Sequence, residues 1–156
     1  MAATVRIVEF GPEYREAFKV LNEAWIAQYF TMEAADYKAL DHPETYILNQ
    51  GGYIAIALHN KKPVGTCALL KMQNETYDFE LAKMAVSPEL QGLGIGYKLG
   101  KNVLEKAKEL GAKAVFLESN TKLQPAINLY KKLGFIEIDH IPTPYQRCDI
   151  QMAIQL

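Results

Sequence analysis

The chain has 156 residues, a net charge of −1 at neutral pH, and 49% apolar against 22% charged residues. That is the balance of a soluble globular protein with material for one domain and a sizeable core, over residues 1–156. It gives no electrostatic case for nucleic acid or an anionic membrane surface, and no apolar run approaches the roughly 18 residues that cross a bilayer. The N-terminus "MAATVRIVEFGPEYRE" lacks the basic and apolar stretches of a secretory leader, so a cytoplasmic chain is expected. Cys67 and Cys148 lie in strand-like runs far from each other, and His42, His59 and His140 are scattered. No zinc spacing results, and two buried thiols in a reducing compartment are the simpler expectation.

In chain order, "TVRIVEF" (Thr4 to Phe10) alternates like a strand, and Gly11-Pro12 breaks it. Phe18, Leu21, Trp25 and Tyr29 recur at helical spacing, which predicts a helix over Tyr14 to Gln28. A second helix is expected over Glu33 to Leu40, then a turn or two closed by Gly51. "YIAIALH", "VGTCALLKM" and "YDFELAKMAV", separated by "NKKP" and "QNET", predict an antiparallel meander. Leu99, Val103, Ala107 and Leu110 mark the face of a helix that Gly111 ends. "AVFLES" reads as a strand, and "QPAINLYKKLG" as a helix with Ala126, Leu129, Tyr130 and Leu133 on one stripe. "FIEIDH" and "CDIQMAIQL" read as two closing strands. The sum is an α+β fold: a mixed, mostly antiparallel sheet of about seven strands flanked by about four helices.

Between the third meander strand and the following helix stands "SPELQGLGIGYKLG", with Gly92, Gly94 and Gly96 at alternate positions. A strand that runs through glycines into a helix start leaves backbone N–H groups pointing outward, and these with the macrodipole make an anion site. A phosphate or pyrophosphate is the expected guest. The dinucleotide fingerprint G-x-G-x-x-G fails, because its third glycine would fall on Leu99 or Tyr97. A P-loop fails as well, since "GYKLGKN" has the wrong spacing and Asn102 after Lys101.

The pattern Q-x-x-G-x-G (Gln91, Gly94, Gly96) does fit, within "LAKMAVSPELQGLGIG" and followed by "AINLYKKLGFIEI". Together these segments resemble the GNAT superfamily of acetyl-coenzyme A-dependent N-acetyltransferases. The likeness covers roughly Val5 to Leu156. It implies that coenzyme A lays its pyrophosphate on Gln91, Gly92, Leu93, Gly94, Ile95 and Gly96. The pantetheine arm would lie along Met84, Ala85 and Val86, where a backbone N–H near Met84 could face the thioester oxygen. Asn120, Pro125, Asn128 and Tyr130 would also touch the cofactor; the family's asparagine before the signature alanine is Leu123 here, so Asn120 or Asn128 would have to replace it.

The resemblance further implies that Tyr130 donates a proton to the leaving thiolate, although helical spacing alone makes it a core residue. Glu80 matches the family's base position; a structural glutamate and a water chain are the alternatives. Lys98, Lys101 and Lys132 either meet phosphates or are simply solvated. Trp25, Tyr29, Phe30, Tyr145 and Arg147 either line an acceptor site or serve as core and surface residues. Arg147 would then receive a carboxylate or form an ion pair. The implied activity is direct acetyl transfer to a primary amine of a small molecule or peptide, and a homodimer is the assembly common in the family. A non-catalytic acyl-coenzyme A sensor, or a transferase with another acyl donor or a hydroxyl acceptor, would share the same binding motif.

Overall fold

The computed structural model describes residues 4–156. The strands are β1 (Val5–Glu9), β2 (Tyr53–His59), β3 (Lys62–Lys71), β4 (Phe79–Val86), β5 (Ala114–Ser119), β6 (Ile136–Glu137) and β7 (Ile150–Gln155). The helices are α1 (Arg15–Tyr29), α2 (Ala34–Asp41), α3 (Ile95–Glu109) and α4 (Gln124–Leu133), with single helical turns at Pro12–Tyr14, Glu44–Leu48 and Pro88–Leu90. One seven-stranded sheet runs β1-β2-β3-β4-β5-β7-β6. Every pairing is antiparallel except β4 with β5. The expected α+β class and element order are therefore present.

The helices cover both faces. On one face, Leu99, Val103 and Ala107 of α3 and Ile127 of α4 bury against Phe79, Leu81, Val115 and Leu117. On the other, Phe18 and Ile26 of α1 and Ala39 and Leu40 of α2 bury against Ile54, Ile56, Leu58 and Ala68. Each large side chain sealed this way is worth on the order of 2 kcal/mol.

Several local expectations are corrected. The buried stripe of α1 is Phe18, Asn22 and Ile26, one position round from the predicted one, and Tyr29 is exposed. Asn22 is tolerated inside because its amide donates to the Phe18 carbonyl at 2.8 Å and to Thr66 Oγ1 at 3.0 Å. Leu110 caps the end of α3 and is exposed. The β2–β3 turn tightens to Asn60 and Lys61, both at positive φ, so Lys62 and Pro63 join β3. "FIEIDH" pairs only at Ile136 and Glu137. Beyond Ile138, the buried Gln151 side chain takes both the N–H (2.6 Å) and the C=O (2.9 Å) of Ile141, and Pro142 and Pro144 supply no donors for a ladder. Cys148 is half-buried outside any strand, whereas Cys67 is sealed in the core.

Two irregularities in β4 shape everything that follows. The register with β3 jumps between Thr66 and Ala68, which leaves Lys83 at φ +53 in a β-bulge. The bulge reverses the strand's facing: Phe79 and Leu81 face α3 before it, and Met84 and Val86 do so after it. Ala82 and Lys83 consequently share the opposite face. The displaced Lys83 carbonyl accepts a hydrogen bond from the Thr66 hydroxyl at 2.8 Å. Secondly, β4 and β5 pair only at Phe79–Val115 and Glu80–Phe116, then part. From Leu81 onward one edge of β4 has no partner strand.

Candidate active site

The split between β4 and β5 opens a cleft of about 690 Å³, mouth included, at the C-terminal end of the parallel pair. Its floor is Leu81 to Met84 of β4, one wall is Glu118 and Ser119 of β5 with Asn120 just beyond the strand, and Tyr130 of α4 closes its back. Trp25 and Phe30 from α1 and its end, with Tyr145 and Arg147 from the β6–β7 loop, form the opposite wall.

Beside this cleft lies the glycine segment. Gly92 and Gly94 have φ of +86 and +79, and a Cβ at either would meet nothing within 4 Å, so the backbone conformation selects glycine there. Gly94 precedes Ile95 at the head of α3, where no side chain caps the helix and no acidic residue enters the first turn. Lys98 N–H is the first to close a helical bond, onto the Gly94 carbonyl. The preceding amides are left outward, as an anion requires. Gly96 differs from the other two in having no positive φ. It is an ordinary helical residue whose absent Cβ would lie 3.1 Å from Leu129 Cδ2. With Gly100, where a Cβ would come within 2.5 Å of Leu133 Cδ1, it lets α3 pack tightly on α4. Met84 joins the two parts, since it lines the cleft and its sulfur lies 3.8 Å from that Gly96 position.

Tyr130 is only 9% exposed, and its hydroxyl has no hydrogen-bond partner among the described residues. Burial raises its pKa above the ordinary phenol range, so the phenol keeps its proton at neutral pH. Glu80 likewise has no hydrogen bond or ion pair among the described residues. Burial, then the neighbouring Glu118 carboxylate, push it up to about 8, with Lys83 pulling the other way. Such a carboxyl changes charge in the range where acid–base chemistry needs it. Glu118 is raised mainly by burial and accepts a hydrogen bond from the Thr143 hydroxyl.

The most buried polar group in the region was not legible in the sequence. Lys83, turned inward by the bulge, donates to Asp36 Oδ1 at 2.6 Å, with both side chains at 5% exposure or less. Arg147 grips the same carboxylate through two bonds of 2.6 and 2.7 Å, and meets Glu33 at 3.4 Å. Burial penalises the Asp36 charge, but Arg147 and Lys83 overcome this and hold it at about 2. Tyr145 completes the cluster: its hydroxyl accepts from Lys83 at 3.2 Å, and its ring lies 4.5 Å from the Arg147 guanidinium. A lysine inside the apolar run "FELAKMAV" was the available signal, because a buried lysine needs a partner.

Of the predicted site residues, Glu80, Met84, Asn120, Tyr130, Trp25, Phe30, Tyr145 and Arg147 meet at the cleft. Tyr29, Pro125 and Asn128 lie outside its lining, and Ala85 is buried beneath it. Asn120 donates to the Arg147 carbonyl at 2.7 Å, which ties the β5 end to the β6–β7 loop. Arg147 is committed to an internal carboxylate rather than free for a ligand's. Lys101 and Lys132 stand over the Tyr97 ring at 5.9 and 4.6 Å, near the head of α3. No helix among the described residues is long and apolar enough to cross a membrane.

The family model for the acetyltransferase (GNAT) family matches residues 14–135. YjgM of Escherichia coli K12, an uncharacterized N-acetyltransferase, is 38% identical over 79 residues, which is 49% of this chain and 47% of that protein. The chain spans less than half the length of the first curated relatives it matches. A GNAT-family acetyltransferase of Staphylococcus aureus Mu50 has the same fold, with a TM-score of 0.87 over 97% of this chain and 99% of that one at 24% identity. PaiA N-acetyltransferase of Thermoplasma acidophilum, solved in complex with coenzyme A, superposes with a TM-score of 0.76 over 98% and 99% at 19% identity. With the glycine-headed helix, the split parallel pair and the family match agreeing over most of the sequence, the chain belongs to the GNAT family of acetyltransferases.

Proposed function

We propose that this protein moves an acetyl group from acetyl-coenzyme A directly to a primary amine, in a ternary complex within the β4–β5 cleft. The observation that carries the reading is the conjunction of unpaired β4 edge, bare α3 amides and buried, unpartnered Tyr130. The amides at 91–96 would hold the pyrophosphate. The free edge of β4 at Met84 to Val86 would pair with the amides of the pantetheine arm, and a β4 N–H would stabilise the thioester oxyanion. Glu80 would take the acceptor's proton, and Tyr130 would protonate the departing thiolate. Cys148 lines the cleft with its thiol pKa raised by burial, so it is a poor nucleophile and no acyl-enzyme is invoked. A reducing cytoplasm suits both free cysteines.

Calorimetry with coenzyme A and a panel of amines watched for free thiol test the reading; no heat of binding would remove its basis. Gly94→Ala is expected to weaken coenzyme A binding about tenfold: a left-handed residue with a Cβ costs about 1–2 kcal/mol, the free loop escapes that cost by relaxing, and binding must restore it. A wild-type affinity in that variant would show that the α3 head does not hold the ligand.

Glu80 predicts a pH signature of definite sign. Its folded pKa of about 8 exceeds the ordinary 4.5 of a glutamate, so the folded state holds the extra proton between those values. Its burial therefore costs nothing below pH 4.5 and destabilises increasingly up to pH 8. Glu80→Gln is expected to raise Tm at pH 9 and leave it unchanged at pH 4. In the same variant kcat/KM falls about a hundredfold and loses its inflection near pH 8. An unchanged pH–rate profile would assign proton removal to water instead.

A further inference from the structure

The charges in the cleft are unevenly committed. Its two cations, Lys83 and Arg147, are both spent on Asp36, which has no exposure to a ligand. Its two other carboxylates are not so spent. Glu80 has no hydrogen-bond or ion-pair partner among the described residues, and Glu118 is bonded only by Thr143 and Cys148, with His140 and Arg147 acting on it without an ion-pair contact. Glu80 pairs with Phe116 in register, and Glu118 lies two residues further along β5, so both side chains project from the same face into the same cleft. Trp25 adds an aromatic wall with no cation over it among the described residues, whereas Phe30 and Tyr145 already carry Lys122 and Arg147. The nine-tenths buried Tyr130 side chain, its hydroxyl unpartnered among the described residues, lines the same space.

We propose that the acceptor is a primary amine carrying a second cationic group and no carboxylate, with Glu118 seating the second cation against Trp25 while the reacting nitrogen meets Glu80. This rests on the transferase reading of the cleft. A carboxylate-bearing acceptor would find no uncommitted cation there and would confront two acidic side chains. A second cation instead gives Glu118 the direct ion-pair partner it lacks among the described residues, with a cation–π contact to Trp25.

A matched four-carbon series tests this: 1,4-diaminobutane, 4-amino-1-butanol and 4-aminobutanoate share one reacting amine and differ only at the far end. Trp25 is the sole tryptophan, so its fluorescence reports occupancy without turnover. Titrations with and without coenzyme A are expected to place the diamine at least about tenfold tighter than the amino alcohol, and the aminobutanoate weakest. Glu118→Gln brings the diamine down to the amino alcohol. Thr143→Val, which removes a Glu118 partner but not its charge, retains the preference and controls for folding. Equal affinities, a preference for the aminobutanoate, no response to the diamine at millimolar concentration, or a preference undiminished in Glu118→Gln would each overturn the inference. Diamine binding with the expected selectivity but no thiol release would instead overturn the transferase reading. Thiol release at equal kcat/KM for all three would leave transfer standing and remove the charge selection.

Discussion

Tyr130→Phe is expected to lower kcat by at least a hundredfold, at the low end of what a positioned general acid supplies, while coenzyme A affinity and Tm stay near wild type. Only the hydroxyl is removed. It bonds to nothing among the described residues, so its loss leaves no buried partner unsatisfied, and the ring keeps its edge contact with Phe135 at 6.2 Å between centroids. Its raised pKa makes the phenol a weak acid on paper. The same loss of water raises a thiol held beside it, as burial does for nearby Cys67. A thiolate leaving into the same dry cleft would then remain a matched acceptor for that proton. Single-turnover thiol release alongside calorimetry separates the outcomes. Wild-type kcat would make Tyr130 a packing residue, and a protein that binds acetyl-coenzyme A but turns over no amine before or after the change would be a sensor.

Asp36→Asn is expected to destabilise the protein by about 3–5 kcal/mol, because Lys83 and Arg147 would remain buried around a neutral group. In a chain of 156 residues each kcal/mol shifts Tm by roughly 2–4 °C, so a fall of about 6–20 °C follows. The pH dependence identifies the cause. The folded carboxyl sits at about 2 against an ordinary 3.8, so its contribution is whole above pH 4 and disappears as pH falls through 2. The two melting temperatures should differ widely at pH 7 and converge below pH 2. Equal stability at pH 7 would mean that the cluster relaxes or hydrates at no cost. The clasp also fixes that wall of the cleft, since Arg147 and the Gln146 N–H of the β6–β7 loop meet Asp36 and Glu33 at the head of α2, while the Tyr145 hydroxyl meets Lys83 of β4.

Local chemistry was enough to read the glycine-headed helix, because the left-handed backbone at Gly92 and Gly94 needs no distant partner and leaves its mark in the residues themselves. The α3 stripe of Leu99, Val103 and Ala107 was legible for a related reason: helical period reports one buried face whatever covers it. Tyr130 and Glu80 were reached through motif likeness, and the fold then brought them to one cleft. What linear spacing could not reveal was decided across the chain. The bulge that turns Lys83 inward depends on Thr66 and Asn22, 17 and 44 residues apart from their partners. The Asp36–Arg147 pair spans 111 residues, the brief pairing of β6 depends on Gln151, and the role of Gly96 depends on Leu129. Each is a contact between groups with no fixed separation along the backbone, so neither period nor composition records it, and only the packed sheet and its helices set the distance.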